Sequence, residues 1–390
     1  METKDHENVR RERLALLAPT AAETLMGRLL RSFWQPVALA DSVPAGKARP
    51  LRILNEDYTL FRGADSVPYL IGARCAHRRA LLHTGWVEGG TIRCMYHGWR
   101  YDGTTGACVE MPGEKQLRPE SVSAGGHPVR EYGGLLFAYL GDGPAPEFDL
   151  PRKHIIEKPG MRWVNQEVLW DCNWFQQIEN SLDGSHLAYA HQWGAMSRFA
   201  EDITTEMPAL SYEETSAGLW QTATRSNGNI RISDWTFPNN NHVKEPGPRK
   251  GDPWIDTFVW AVPVDDVLTK RFFIYAYPDT DADTNARIVA DRSDDFDFIA
   301  NSQALIERKE LPLGKTNLLQ AQDYVAVRSQ GAIMDRASER LGQTDTGIAI
   351  LRRVFLRELD ALRDGKPMKS WTRIARPFEL PMSVPQPAGV

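Results

Sequence analysis

Apolar residues recur at two different spacings along the chain, and the spacing changes near Trp34. Before that point, leucines within residues 12–34 follow helical spacing and predict one or two short amphipathic helices. After it, short runs rich in β-branched and aromatic residues are separated by turn signals that contain glycine. These runs predict a small all-β domain with its clearest strands at residues 51–54, 58–62 and 134–140.

The pattern changes again after residues 141–146, a stretch of glycine and proline that predicts a linker. Residues 172–193 have helical periodicity, whereas long alternating runs between residues 208 and 280 predict a central antiparallel sheet. Three later segments show charged and apolar residues at helical spacing and are predicted to be helices, at residues 292–310, 317–340 and 346–363.

These elements predict an α+β protein with two domains. Residues 1–150 would form the all-β domain together with the N-terminal helices. Residues 151–390 would form a domain with a central antiparallel β-sheet flanked by helices, of the helix-grip type. The length of 390 residues and the 42% of hydrophobic residues are sufficient for two buried cores.

Composition excludes several classes of partner. The chain has 46 Lys and Arg against 51 Asp and Glu, so its net charge of -5 provides no basic field for nucleic acid or anionic lipid. No apolar run approaches the roughly 20 residues of a membrane span, and residues 1–13 are too charged for a secretory signal. Four cysteines are too few for a disulfide scaffold. We therefore expect a cytoplasmic protein that binds neither nucleic acid nor membranes.

Two Cys–His pairs lie in the segment predicted to be all-β. One residue separates Cys75 from His77, sixteen residues separate His77 from Cys94, and two separate Cys94 from His97. Zinc accepts two thiolates and two imidazoles, but structural zinc sites usually separate paired ligands by at least two residues. In a Rieske centre, two thiolates hold one iron of a two-iron cluster and two imidazoles hold the other. The second arrangement suits the spacing better, with each loop supplying one Cys and one His.

A second set of candidate metal ligands lies in the predicted helix at residues 172–193. His186 and His191 are five residues apart, and positions five apart on a regular helix point about 140° from each other. Both rings reach one metal only if the helix breaks or bulges, which Gly184 and Ser185 would favour. The third ligand would be a distant carboxylate, for which the candidates are Asp323, Asp335, Glu339 and Asp345.

The two motifs together resemble those of the Rieske non-haem iron oxygenases, the alpha subunits of aromatic ring-hydroxylating systems. Residues 75–78 and 94–99 are similar to the family's cluster signature. Asp183, His186 and His191 match its Asp-x-x-His-x4-His motif.

The stretch at residues 322–331 is similar to the phthalate dioxygenase-like branch of this family, which implies that Asp323 completes a 2-His-1-carboxylate site. The resemblance implies two cofactors. The first is a [2Fe–2S] cluster, held by Cys75, His77, Cys94 and His97. The second is a mononuclear Fe(II), held by His186, His191 and Asp323.

The resemblance also implies a head-to-tail homotrimer, in which the cluster of one subunit lies close to the iron of the next. Asp183 would then bridge His186 to a cluster histidine, His77 or His97, across the interface. Asn180, one turn earlier, is predicted to be a polar residue close to the iron.

The implied activity is that of a terminal oxygenase component, which inserts oxygen from O2 into a small substituted aromatic substrate by hydroxylation or O- or N-demethylation. Electrons would come from NAD(P)H through a separate reductase, with or without a ferredoxin, since no Gly-rich dinucleotide motif is found in the chain. Two alternatives are open. One is a ring cis-dihydroxylating dioxygenase, and the other is a Rieske electron carrier without oxygenase activity.

Other residues with reactive or aromatic side chains are predicted to have structural roles. Cys108 and Cys172 have no partner at ligand spacing and are expected to be buried. Trp99 is expected to pack over the cluster loops. His242 is predicted to lie on a solvated loop, with the mouth of a pocket as the alternative.

Overall fold

The structure, a computed structural model, divides into two compact units. One unit is residues 20–148, and the other combines residues 1–19 with residues 149–390. The predicted domain boundary at 150/151 falls outside the described residues. The structure describes residues 2–115, 118, 121–148, 154–191, 206–226, 228–249, 251–311 and 318–371.

The helices and strands within these ranges are numbered in chain order. The α-helices are α1 (Glu2–Ala15), α2 (Leu25–Arg31), α3 (His154–Glu157), α4 (Trp174–Leu182), α5 (Leu187–Ala190), α6 (Ala282–Arg292), α7 (Ser302–Ile306), α8 (Leu318–Arg328) and α9 (Thr346–Arg363). The strands are β1 (Gln35–Leu39), β2 (Ala48–Ile53), β3 (Glu56–Arg62), β4 (Pro68–Gly72), β5 (Trp86–Glu88), β6 (Thr91–Arg93), β7 (Arg100–Asp102), β8 (Cys108–Glu110), β9 (Gly126–His127), β10 (Val129–Tyr132), β11 (Leu135–Ala138), β12 (Met161–Trp170), β13 (Ala209–Glu214), β14 (Gly218–Thr224), β15 (Ile230–Thr236), β16 (Asn240–Glu245), β17 (Ile255–Pro263) and β18 (Thr269–Pro278).

The unit of residues 20–148 consists mainly of three small antiparallel sheets, which confirms the predicted all-β domain. Their strand orders are β1-β11-β10, β2-β3-β4-β9 and β5-β6-β7-β8. Cys75 and Cys94 belong to the same buried cluster as Trp99, Tyr101 and Cys108. The loops with the Cys–His pairs are therefore attached to the hydrophobic core at their cysteines, and Cys108 is buried as predicted.

The N-terminal helix differs from the predicted domain division. Residues 1–19 group with the second unit, to which α1 is also joined by ion pairs. Arg11 pairs with Asp335 at 2.7 Å, and Arg13 pairs with Asp360. The spacing of leucines predicts a helix but does not show which domain it will contact.

The second unit is built on one seven-stranded antiparallel sheet with the order β12-β18-β17-β16-β15-β14-β13. This confirms the predicted central sheet. On one face, Val259, Phe273 and Tyr275 pack with apolar residues of α6, α7 and α8. This packing holds α8, which carries Asp323, against the sheet.

The predicted helix at residues 292–310 is wrong in most of its length. Helix α6 ends at Arg292, and only the short α7 follows. Phe296 and Phe298 are two residues apart with aspartates around them, so this part has the period of an extended segment. Phe298 is buried against Trp170 and Tyr324 at ring distances of 5.8 and 5.3 Å.

Helix α4 is fixed by a buried group of charges. The Glu179 carboxylate accepts hydrogen bonds from Arg336 at 2.9 Å and from Arg352 at 2.6 Å. All three side chains are at least nine-tenths buried, so each charge depends on the others for compensation. This ties α4, which precedes the two candidate iron-binding histidines, to α9.

Across the described ranges, every helix is too short or too polar to cross a bilayer.

Candidate functional site

The two loops with the Cys–His pairs have the same backbone design. In each, the cysteine N–H donates to the carbonyl oxygen five residues later, Cys75 to Ala80 and Cys94 to Trp99, both at 2.8 Å. In each, the residue four positions after the cysteine donates back to the cysteine carbonyl oxygen at 3.0 Å. That residue has a left-handed backbone in both loops, with φ of 62° at Arg79 and 75° at Gly98.

These matched loops place the cysteines inside and the histidines at the rim. Cys75 and Cys94 are 2% and 1% exposed, whereas His97 is exposed. The rings of His77 and His97 are 4.5 Å apart, and Trp99 stacks on His77 at 4.7 Å, as predicted. The Nδ1 atom of His77 is buried and has no hydrogen-bond partner among the described residues. Paired thiols below paired imidazoles, one with an unused ring nitrogen, suit a two-iron cluster held by two Cys and two His.

Tyr101 adds a contact that the sequence analysis missed. Its hydroxyl lies 3.1 Å from Cys75 Sγ and accepts a hydrogen bond from the Ala76 N–H at 3.0 Å. Burial and the neighbouring Cys75 raise the pKa of Tyr101, so the phenol keeps its proton and would donate it to a Cys75 thiolate bound to a cluster. Hydrogen bonds to the sulfurs raise the reduction potential of iron–sulfur clusters because they stabilise the more negative reduced state.

In the cluster-loaded protein, we expect Tyr101→Phe to lower the reduction potential by about 40 mV, the equivalent of one net hydrogen bond of about 1 kcal/mol. A redox titration followed by visible absorption would measure the shift. Tyr69→Phe is the control, because its hydroxyl contacts Asp65 and not a cysteine. A Tyr101→Phe potential equal to that of the Tyr69→Phe variant would contradict the assignment.

The predicted helix at residues 172–193 breaks before His186, and not between His186 and His191 as their spacing suggested. Helix α4 ends at Leu182, and the next helix, α5, is a single turn. His186 caps the N-terminal end of α5 and His191 caps its C-terminal end. The two imidazoles therefore approach the same point from the two ends of this single turn.

Three donor atoms converge there. Asp323 Oδ1 lies 3.4 Å from His186 Nε2 and 3.3 Å from His191 Nε2. Two donors that each bind one ion at about 2.1 Å, roughly at right angles, are about 3 Å apart, so these distances suit a shared metal. In the described part of the chain this is the one group of three such side chains with ligand atoms close enough to hold an ion.

The hydrogen bonds behind the two rings show why the site needs a cation. His186 Nδ1 donates to the backbone carbonyl oxygen of Asp183 at 2.5 Å, and His191 Nδ1 donates to Gln322 Oε1 at 2.9 Å. In the neutral rings, which are the form that binds a metal, these bonds leave both Nε2 atoms with lone pairs that point toward the carboxylate. Asp323 Oδ1 is buried without a hydrogen bond. When both rings are neutral, three acceptors face one another, and a bound metal ion stabilises this arrangement.

Electrostatics keep the carboxylate ionised. Burial by itself would raise the pKa of Asp323, but His191 and His186 lower it well below its usual value. Burial would likewise lower the pKa of His186, but the Asp323 carboxylate raises it. A carboxylate that stays charged at all ordinary pH values is ready to bind a metal ion.

Helix α8 is held in place by Asp171, at the end of β12. The Asp171 carboxylate accepts from the Tyr324 hydroxyl at 2.6 Å and from Arg328 Nε at 2.9 Å. Tyr324 follows Asp323 directly, so this clamp fixes the rotation of the helix that presents the candidate ligand. Asp171 could not be identified from the sequence, because its partner Tyr324 lies 153 positions away.

The structure separates Asp323 from the other candidate carboxylates. Asp335 pairs with Arg11, and Glu339 pairs with Arg352. Asp345 accepts a hydrogen bond from the Gly342 N–H. None of these three carboxylates belongs to the group of donors formed by His186, His191 and Asp323.

Gln322 is a second contact that the sequence analysis missed, although it directly precedes Asp323. We expect Gln322→Leu to weaken iron binding by about 10- to 100-fold, because His191 loses the acceptor that fixes its ring. Equilibrium dialysis against a competing chelator would measure the change. Gln320→Leu is the matched control on α8, because Gln320 bonds to Gln166 and Tyr275 instead. Equal iron retention by the two variants would show that His191 is oriented without Gln322.

A cavity opens above the three donors. Asn180 and Asp183 line it, together with His186, His191 and Asp323. The Asp183 carboxylate accepts from the Ser185 N–H at 2.8 Å, and its side chain is 27% exposed. The opposite wall is formed by alternate residues of the central sheet, namely Arg231, Val243, Glu245, Thr257, Val259, Arg271, Phe273 and Tyr275.

His242 does not lie on a solvated loop, so that prediction is wrong. It is 2% exposed on β16, where its Nε2 lies 2.7 Å from Asp256 Oδ1 and its ring stacks on Phe258. Three preceding asparagines suggested a loop, but they are buried, and Asn239 and Asn240 donate to backbone carbonyl oxygens of β17.

Comparison with known proteins agrees with this arrangement. Residues 33–129 match the Rieske [2Fe-2S] domain, which supports a [2Fe–2S] cluster over zinc. The chain is 31% identical over 377 residues to the 5,5'-dehydrodivanillate O-demethylase oxygenase subunit of Sphingobium sp. (strain NBRC 103272 / SYK-6), covering 92% of this chain and 82% of the relative. It is 32% identical to the tert-butanol monooxygenase / tert-amyl alcohol desaturase oxygenase subunit of Aquincola tertiaricarbonis, covering 90% and 77%.

The fold is shared with solved structures. The NdmA QL mutant of Pseudomonas putida CBB5 with theobromine superposes with a TM-score of 0.66 at 23% identity, over 92% of this chain and 98% of that one. Because the sequence relatives extend over both units and are oxygenase subunits, the similarity is not limited to the cluster domain. The chain belongs to the Rieske non-haem iron oxygenases, as an oxygenase subunit of the phthalate dioxygenase-like branch.

Proposed function

We propose that this chain is the terminal oxygenase component of a Rieske system and inserts oxygen from O2 into a small substituted aromatic substrate, by hydroxylation or demethylation. The observation that carries the proposal is the convergence of His186, His191 and Asp323 at the floor of a cavity. An iron bound there by three protein donors would keep open positions for O2, with the cluster as its store of single electrons.

The cavity residues have distinct tasks in this proposal. Val259 and Phe273 offer apolar surface to the ring of a substrate, in keeping with the mixed lining of small-molecule sites. Gln322 and the backbone carbonyl of Asp183 hold the two imidazoles in the orientation that points Nε2 into the site. Asn180 supplies a polar group beside the ligands.

The relatives support demethylation or hydroxylation, since those named above are an O-demethylase and a monooxygenase subunit. Other relatives are named as dioxygenase subunits, so ring cis-dihydroxylation is the second candidate. An electron carrier is disfavoured, because it would need little more than residues 33–129, whereas the similarity covers 92% of the chain.

The proposal includes the partners of such a component. A separate NAD(P)H-dependent reductase would reduce the cluster. A head-to-tail homotrimer would place Asp183 between His186 and a cluster histidine of the neighbouring subunit. A cytoplasmic location is supported by four cysteines that are all buried and free of disulfides.

Metal analysis combined with turnover tests the proposal. Three irons and two acid-labile sulfides per chain are expected, together with NADH and O2 consumption that depends on an added aromatic acid, ether or amine and a surrogate reductase. Two irons with two sulfides would indicate the carrier instead. The product distinguishes the candidates, since a cis-diol would indicate dioxygenation and a phenol with formaldehyde would indicate O-demethylation.

A further inference from the structure

The wall of the cavity opposite the metal-binding donors is unusually rich in buried arginines. Arg231 lies on β15, Arg271 on β18 and Arg292 at the end of α6, and all three line the cavity. Arg292 donates to the Glu245 carboxylate at 2.8 Å, so its charge is compensated within the protein. The other two require a separate explanation.

Arg231 and Arg271 are each 7% exposed. Within the described ranges, neither guanidinium makes a hydrogen bond or an ion pair. The Nε of Arg231 and the Nη1 of Arg271 are shielded from solvent and have no acceptor. A buried cation without a partner lowers the stability of the folded protein. Native proteins therefore rarely keep one unless a bound ligand supplies the missing acceptor or negative charge.

The carboxylates that face the cavity are already engaged. Glu245 accepts from Arg292, Asp323 faces His186 and His191, and Asp183 accepts from the Ser185 N–H. No acidic side chain that lines the described cavity therefore serves as the direct partner of Arg231 or Arg271. Burial lowers the pKa of Arg231 to about 10, which still leaves it charged at neutral pH.

The two arginines are held differently, which separates their roles. Arg271 stacks on Trp170 and Phe273, with its Cζ 4.1 and 4.9 Å from the ring centres, and these rings stabilise and orient the cation. Arg231 has no such ring contact among the described residues. It is therefore the cation with the greatest need for an anion.

We infer that this cavity binds an acidic substrate whose carboxylate or sulfonate group pairs with Arg231, with Arg271 as the second cation of the same wall. The inference rests on the proposed function and deepens it by naming the charge of the substrate. The acidic group would lie on the sheet side of the cavity, with the rest of the molecule toward His186, His191 and Asp323. Guanidinium groups suit this task because they can donate two parallel hydrogen bonds to one carboxylate or sulfonate.

Calorimetric titration of the purified holoprotein tests the inference without turnover. The probes are matched pairs, in which each acid is compared with its uncharged amide: benzoate with benzamide, 4-methoxybenzoate with 4-methoxybenzamide, and toluene-4-sulfonate with toluene-4-sulfonamide. The buffer contains no phosphate or sulfate. At least one acid should bind about ten or more times more tightly than its amide, because the acid forms a hydrogen-bonded charge pair with the arginine and the amide does not.

Variants then locate the interaction. Arg231→Gln should weaken binding of the acid by about 10- to 100-fold and leave the amide unchanged, and Arg231→Lys should retain part of the preference. Arg162→Gln is the control, since it removes an exposed arginine of the same sheet that pairs with Asp279. Comparison of acid and amide on the unaltered protein does not depend on the folding of any variant.

Two results would overturn the inference: no acid binds more tightly than its amide, or Arg231→Gln keeps the full preference for the acid. Failure of the proposed function is recognised separately. Turnover of a neutral compound with three irons per chain, but no preference for acids, would reject only the inference. Acids that bind through Arg231 without any oxygenated product would reject only the proposed activity.

Discussion

The Asp323→Ala variant should retain two irons and two sulfides per chain, lose the third iron, and have no detectable oxygenation activity. The reason is the geometry of the site, where Asp323 Oδ1 is the single carboxylate oxygen within 3.4 Å of both His186 Nε2 and His191 Nε2 in the described residues. Loss of a residue that only hydrogen-bonds to a metal ligand weakens metal binding by up to roughly 100-fold. Loss of the ligand itself should weaken iron binding by more than that. Iron and sulfide analysis together with the visible spectrum of the cluster would measure the result.

Asp335→Ala is the matched control for this experiment. Asp335 is a nearby carboxylate in the sequence, is about half exposed and pairs with Arg11. This variant should keep all three irons, since a surface ion pair contributes little to stability. An Asp323→Ala protein that still bound three irons, or an Asp335→Ala protein that lost one, would contradict the ligand assignment.

Asp183→Asn should leave both metal centres loaded but reduce coupled turnover by about 100-fold or more. The substitution removes the charge yet keeps an oxygen for the Ser185 N–H, and the backbone carbonyl that bonds His186 is untouched. What is lost is the carboxylate that would link His186 to a cluster histidine of the next subunit. Rapid-mixing absorption spectroscopy of the reduced protein would show slow, substrate-independent oxidation of the cluster.

The control for this variant is Asp297→Asn. Asp297 is exposed, and its carboxylate also accepts a backbone N–H, that of Ala300 at 2.8 Å. It tests whether an Asp-to-Asn change in such a turn has any general effect. Normal cluster oxidation in Asp183→Asn would show that electrons reach the iron without this carboxylate.

The candidate ligand residues could be identified in the sequence because metal chemistry restricts both residue type and spacing. Cys75, His77, Cys94 and His97 form two short motifs. His186 and His191 lie at the two ends of one helical turn, and the helix breaks before them rather than between them. The choice of Asp323 over Asp335 depended on resemblance to a family, because several carboxylates had suitable positions in the sequence.

The supporting contacts were not predictable, because they join residues that are distant in the chain. Asp171 clamps Tyr324, and Arg231 on β15 and Arg271 on β18 reach the same cavity only through the order of the strands. The error at His242 has a related cause. Asparagines favour loops in isolation, but the sheet supplies backbone acceptors that satisfy their side chains when they are buried.

The single turn of α5 has a consequence for how this family can vary. Leu187–Ala190 alone set the distance between the two imidazoles, whose ring centres are 5.1 Å apart. Deleting one residue would rotate the second ring by about 100° and shift it by about 1.5 Å, which removes it from the metal. Replacing Tyr189 would be much less harmful, since its side chain is 69% exposed, whereas Leu187 and Ala188 are buried. The length of this turn is therefore under stricter constraint than the identity of its exposed residue.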